Sequence, residues 1–208
     1  MSSATRRSFL ALGDSYTIGE GVDAKDRWPA QLVRQLRTQG ISVSDPTIVA
    51  RTGWTTDELL AAIDPAHLAP PYDLVTLLIG VNDQYRGGSA ADYRPRFREL
   101  LDRAVQLAGG NPRHVIVLSI PDWSVTPFAA GRDRAAIGRA IEAFNAVNRE
   151  EANGRGARRV DITESSRAAD RDPCLVAGDG LHPSAEMYEQ WAGLVRAAAA
   201  EVLAPQIR

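Results

Sequence analysis

The chain has 208 residues, 44% of them hydrophobic and 24% charged, with a formal net charge of -2 and an isoelectric point near 5.9. That length suits one α/β core and is short for two, so a single domain over residues 1–208 is expected, and the weakly acidic balance argues against nucleic acid, which asks for a basic face. Cys174 is the only cysteine, which excludes an internal disulfide and leaves any metal site to histidines and carboxylates.

Arg6 and Arg7 stand before Phe9-Leu10-Ala11-Leu12-Gly13, but Asp14 ends that apolar run short of the roughly 7–15 residues of an export leader. No run approaches the roughly 18 apolar residues of a membrane span. With a single cysteine, the redox argument leans to the cytoplasm. The expectation is a cytoplasmic protein with no membrane span and no nucleic-acid partner; the sequence leaves its oligomeric state open.

In chain order, the first strand is expected over Ser8 to Leu12 and runs into Gly13-Asp14-Ser15-Tyr16. Trp28, Leu32 and Leu36 then fall on one helical face. A second strand, Thr47 to Ala50, is followed by Arg51-Thr52-Gly53-Trp54. After Pro70-Pro71 a third, Leu74 to Ile79, leads to Gly80-Val81-Asn82-Asp83, with Tyr85 close behind. After Asn111-Pro112 a fourth, Val115 to Ile120, enters Pro121-Asp122-Trp123 and an irregular stretch to Arg134 that carries Phe128. Ile137, Ile141 and Phe144 share the next helical face. The fifth strand is expected over Arg159 to Ile162. Asp179-Gly180-Leu181-His182-Pro183 precedes a last helix with Met187, Trp191 and Leu194 on its core stripe.

Strands alternating with helix-period segments predict an α/β fold of three layers, α/β/α, around a five-stranded parallel sheet. Such sheets bind ligands beyond the carboxyl ends of their strands, so the residues after each strand carry the chemistry. They offer a hydroxyl, a carboxylate, an imidazole, an amide and a glycine N–H, the parts of an acyl-transfer site. A serine needs a base for its proton, and the base needs a partner on its far ring nitrogen. His182 is the candidate base, since His67 and His114 have no serine or carboxylate motif beside them. Asp179, three residues earlier, could orient it; taken alone, D-x-x-H fits equally an Asp that caps the last helix beside a surface His. The N–H groups of Ser15 and Gly53 and the Asn82 amide could receive an oxyanion. A metal reading of Asp179 and His182 lacks further ligands, so no metal or cofactor is expected. Asp14 and Asp83 read as loop-fixing hydrogen-bond partners, and Arg86 as half of a surface ion pair.

Taken together, GDS at Gly13 to Ser15, Gly53, GVND at Gly80 to Asp83 and DGLH at Asp179 to His182 resemble, in order and spacing, the four signature blocks of the SGNH (GDSL-type) hydrolase superfamily. The resemblance covers most of the chain. It implies a flavodoxin-like fold, Ser15 as nucleophile, Asp179 and His182 completing a catalytic triad, and an oxyanion hole of Ser15 N–H, Gly53 N–H and Asn82. The fourth residue of the first block is Tyr16, where the group's name has leucine. The implied activity is hydrolysis of a small-molecule carboxylic ester. Tyr16, Trp54, Tyr85, Trp123 and Phe128 each follow a strand-end motif and are candidate pocket residues for short to medium acyl chains. Carbohydrate O-deacetylase, acyl thioesterase and lysophospholipase are alternatives at the same site, and a catalytically silent binding protein is a further one.

Overall fold

In the computed structural model, which describes residues 6–204, five strands form one sheet: β1 (Phe9–Gly13), β2 (Thr47–Ala50), β3 (Leu74–Leu78), β4 (Val115–Leu118) and β5 (Arg158–Val160). Their order is β2-β1-β3-β4-β5, and every neighbouring pair is parallel. The inner strands FLALG, LVTLL and VIVL are buried at every residue. A parallel sheet is covered by helices on both faces, so its central strands are continuous apolar runs with no polar alternation. The edge strands carry Thr47, Arg158 and Arg159 and are only partly covered.

The helices are α1 (Ser15–Ile18), α2 (Trp28–Thr38), α3 (Thr56–Ile63), α4 (Val81–Tyr85), α5 (Ala90–Leu107), α6 (Arg134–Arg155), α7 (Thr163–Arg167) and α8 (Ala185–Leu203). The step from β1 to β2 runs one way across the sheet and the three later steps run the other way. Right-handed crossovers therefore put α2 on one face and α3, α5 and α6 on the opposite one. The packing agrees: α2 lies against α8, while α3 meets α5 and α5 meets α6. Trp28, Leu32, Leu36 and Trp191 are fully buried on the first side. On the second, Tyr93 stacks on Phe144 with ring centroids 4.7 Å apart.

Beyond single-residue shifts at strand ends, three expectations need correction. The fourth strand ends at Leu118, before the expected Ile120, whose N–H donates to the Asn145 side chain. Leu194 is 46% exposed, and Val195 is the buried residue instead. The covered arc of α8 is centred on Trp191, Val195 and Val202, with Met187 at its margin; at about 100° per residue, Leu194 falls just beyond that margin. The fifth strand ends at Val160, before the expected Ile162, because the Ile162 N–H donates to the Ser119 hydroxyl and not to a neighbouring strand. The apolar run behind Arg6 and Arg7 is β1 itself. Among the described residues no helix is long and apolar enough to cross a membrane.

Because all strands point the same way, their following loops gather at one edge. The reversal of strand order lies between β1 and β3, which is where such sheets open a crevice.

Candidate active site

Gly13 ends β1 beside the end of β3. A Cβ there would lie 2.6 Å from the Leu78 carbonyl oxygen, so only glycine lets the strands stay this close. Asp14 then caps α1, its Oδ1 accepting the Tyr16 N–H at 3.0 Å. This places Ser15 on the first turn, where backbone N–H groups have no intrahelical acceptor. Ser15 is buried and faces a cavity of about 150 Å³ that is also lined by Gly53, Asn82 and His182.

His182 reaches that cavity from a tightly bonded loop. Asp179 Oδ1 accepts the N–H groups of Leu181 and His182, each at 2.9 Å, and its Oδ2 meets His182 Nδ1 at 2.6 Å. A carboxylate can only accept, so in the neutral ring Nδ1 carries the proton and Nε2 keeps its lone pair. Burial alone would raise the Asp179 carboxyl, but the bonds from the His182 ring and the two N–H groups outweigh it and hold the carboxyl below its ordinary value. Asp179 does not cap the last helix: Ser184 does, accepting from the Met187 N–H. Nor is His182 a surface residue, at 7% exposure. His114 directly precedes β4, at the opposite edge of the sheet.

The Gly53 loop is fixed from α4. Asn82 Nδ2 donates to the Trp54 carbonyl at 2.9 Å, which leaves its second amide hydrogen unspent. Asp83 accepts from both the N–H and the hydroxyl of Thr56 at 3.0 Å. Arg86 pairs with Glu58 and donates to the Gly53 carbonyl at 2.7 Å. Gly53 itself has φ near 83°, a left-handed conformation that side chains disfavour. Asp83 is thus the loop-fixing partner that the sequence suggests, and Arg86 adds to its ion pair a hold on Gly53 that no sequence pattern signals.

Four of the five aromatic candidates, Tyr16, Tyr85, Trp123 and Phe128, line the cavity, as do Thr52, Val81 and Leu181. Trp54 does not line it and contributes its carbonyl instead. Tyr16 stands edge-on to His182, centroids 5.5 Å apart, and Trp123 is held by its indole N–H on Gln84 Oε1 at 2.9 Å. Thr52 and Leu181 were not singled out by sequence, since neither residue type signals a pocket.

Asp14 is the electrostatic exception. Burial pushes its carboxyl up to about 8, the Tyr16 N–H opposing and the nearby Asp83 charge adding to the rise. Its second oxygen is buried with no hydrogen-bond partner among the described residues. Among those residues no cluster of three or more His, Cys, Asp or Glu could hold a metal ion.

Residues 11–190 match the GDSL-like Lipase/Acylhydrolase family. The chain belongs to that family. This GDSL-like acylhydrolase is accordingly an ester hydrolase of the serine type, and its five-stranded α/β/α sheet is the fold seen in solved structures. One of them, TesA, superposes with a TM-score of 0.73 at 23% identity, covering 94% of this chain and 99% of its own. The lipase/acylhydrolase from Enterococcus faecalis gives 0.72 at 22% identity, covering 97% and 100%. Axe2, an acetylxylan esterase from Geobacillus stearothermophilus, gives 0.70 at 18%, covering 96% and 95%. No curated protein matches the sequence.

Proposed function

We propose that this GDSL-like acylhydrolase cleaves carboxylic esters of short to medium acyl chain through Ser15, His182 and Asp179. The observation that carries the reading is the 2.6 Å contact between His182 Nδ1 and Asp179 Oδ2, on a cavity that Ser15 shares. With Nδ1 committed, Nε2 is the free base. It takes the Ser15 hydroxyl proton as Oγ bonds to the ester carbonyl carbon. The carbonyl oxygen, now anionic, is received by the Ser15 and Gly53 N–H groups and the unspent Asn82 amide hydrogen. His182 returns the proton to the departing alkoxide, and the acyl group stays on Ser15. Water repeats the sequence: His182 takes its proton, the hydroxyl bonds to the acyl carbon, and the acid leaves as Ser15 regains its proton. No cofactor enters these steps.

The cavity volume and its aromatic wall support an acyl group of a few carbons over a long chain. The test is intact mass after treatment with a fluorophosphonate probe, for the wild type beside Ser15→Ala. One adduct on the wild type and none on the variant is expected; equal labelling of both removes Ser15 as nucleophile. Turnover of p-nitrophenyl acetate through octanoate, set against acetate release from acetylated sugars, then separates the esterase from the O-deacetylase reading.

A further inference from the structure

One wall of the cavity is a trio of aromatic rings from two separate parts of the chain. Tyr85 comes from α4, Trp123 and Phe128 from the loop between β4 and α6. Their centroids lie 5.6 Å apart for Tyr85 and Trp123, 5.9 Å for Trp123 and Phe128, and 6.1 Å for Tyr85 and Phe128. A fourth residue joins them that lines no part of the cavity in its own right. The guanidinium carbon of Arg132 is 4.9 Å from the Phe128 centroid, 5.4 Å from that of Tyr85 and 5.5 Å from that of Trp123. One of its N–H groups donates to the Tyr85 hydroxyl at 3.4 Å.

Arg132 forms no ion pair among the described residues, and its surroundings explain why. Asp133, next in sequence, spends its carboxylate as the cap of α6, accepting the Ala136 N–H at 2.9 Å. Arg134 turns away, toward the Thr126 carbonyl and Asp170. Arg86, another arginine near this edge, is committed to Glu58 and Gly53. Arg132 is therefore a cation held by ring faces. Stacking of this kind uses the flat face of a guanidinium; with one N–H group on the Tyr85 hydroxyl and no carboxylate paired with it among the described residues, the remaining N–H groups are open to an anion, and a guanidinium can grip a carboxylate with two parallel bonds. The rings also shed water from one side, which strengthens such a bond relative to one on an open surface.

We infer that Arg132 and the aromatic trio form an anion subsite, so that the esters this protein prefers carry a free carboxylate separated from the scissile bond by an apolar segment lying along the rings. The inference rests on the reading of Ser15 as the nucleophile of the same cavity, and gives that reading a substrate class.

The test compares kcat/KM for two matched pairs. Mono-p-nitrophenyl glutarate against p-nitrophenyl butyrate places the carboxylate on the acyl side; 4-acetoxybenzoate against phenyl acetate places it on the alcohol side. In the wild type the anionic member of one pair is favoured, and in Arg132→Gln its advantage over the neutral member falls about tenfold, the size of a partly exposed charge-assisted contact. Arg132→Lys, which keeps the charge and loses the fork, keeps part of the advantage. An unchanged ratio in both pairs, or an equal fall for anionic and neutral esters, overturns the subsite and leaves Arg132 as packing for the rings. A binding measurement stands apart from turnover: monoethyl glutarate and ethyl valerate titrated into Ser15→Ala, with and without Arg132→Gln, by ligand-observed NMR. If the wild type hydrolyses none of the esters and takes no fluorophosphonate adduct, the esterase reading falls, and this titration alone decides the subsite. Tighter binding of the monoester that is lost with Arg132→Gln upholds it; equal binding overturns it.

Discussion

At the scale of the residue, Asn82 and Asp14 separate two kinds of buried polarity. Asn82 gives one amide hydrogen to the Trp54 carbonyl and keeps the other for the cavity, so it both holds the Gly53 loop and serves as a donor. Asn82→Ala is expected to lower kcat by about 10²–10³, with KM changed much less; an unchanged kcat removes it from the oxyanion hole. Asp14 has its carboxyl buried with only partial compensation. Its carboxyl titrates near 3.8 in the unfolded chain and near 8 in the folded one. Below the first value it is neutral in both states and costs nothing. As pH rises through that window the unfolded chain ionises first, so this group's contribution to stability is progressively lost until the folded carboxyl also ionises. Asp14→Asn keeps an acceptor for the Tyr16 N–H and removes the charge. The melting temperature of the variant relative to wild type should therefore rise from pH 5 to pH 9, and a pH-independent difference would refute the assignment. The sequence marks Asp14 as a turn residue; its burial comes from packing that no local pattern encodes.

At the scale of the element, the loops after the strands do the positioning and the helix caps fix where each loop ends. Ser184 starts α8 by accepting the Met187 N–H, which frees Asp179 from that task and lets both of its oxygens serve the His182 loop. Pro183 stands directly before the cap, bridged to Val176. Ser184→Ala is expected to cost about 1 kcal/mol, the usual loss for such a cap, seen as a fall of roughly 2–4 °C in melting temperature for a chain of this size. No change would mean that the loop's own hydrogen bonds hold the helix end without it. The cap was hard to read in advance because Asp179 and Ser184 are both good N-cap residues, and only the backbone path between them decides which one is used.

At the scale of the whole molecule, α2 and α8 close one face of the sheet although more than a hundred residues separate them in sequence. Leu32 is completely buried on that face. Leu32→Ala is expected to destabilise the protein by about 2–5 kcal/mol, read from the urea midpoint, and the single-domain expectation adds that the whole chain shifts in one cooperative transition. Two separable transitions would divide the chain. The five parallel strands between two helical layers and the gathering of the Gly13, Gly53, Gly80 and Asp179 loops at one edge were legible in the sequence. Apolar runs ending in short polar motifs, alternating with helix-period segments, admit few other arrangements once crossovers are right-handed. The contacts that aim the chemistry were not legible: Asn82 on the Trp54 carbonyl, Arg86 on that of Gly53, and Arg132 against rings from α4 and from the loop after β4. Each joins groups from separate elements of the chain, and whether such groups meet is set by how the layers and loops pack in three dimensions. Periodicity and spacing report only which way a residue faces within its own element.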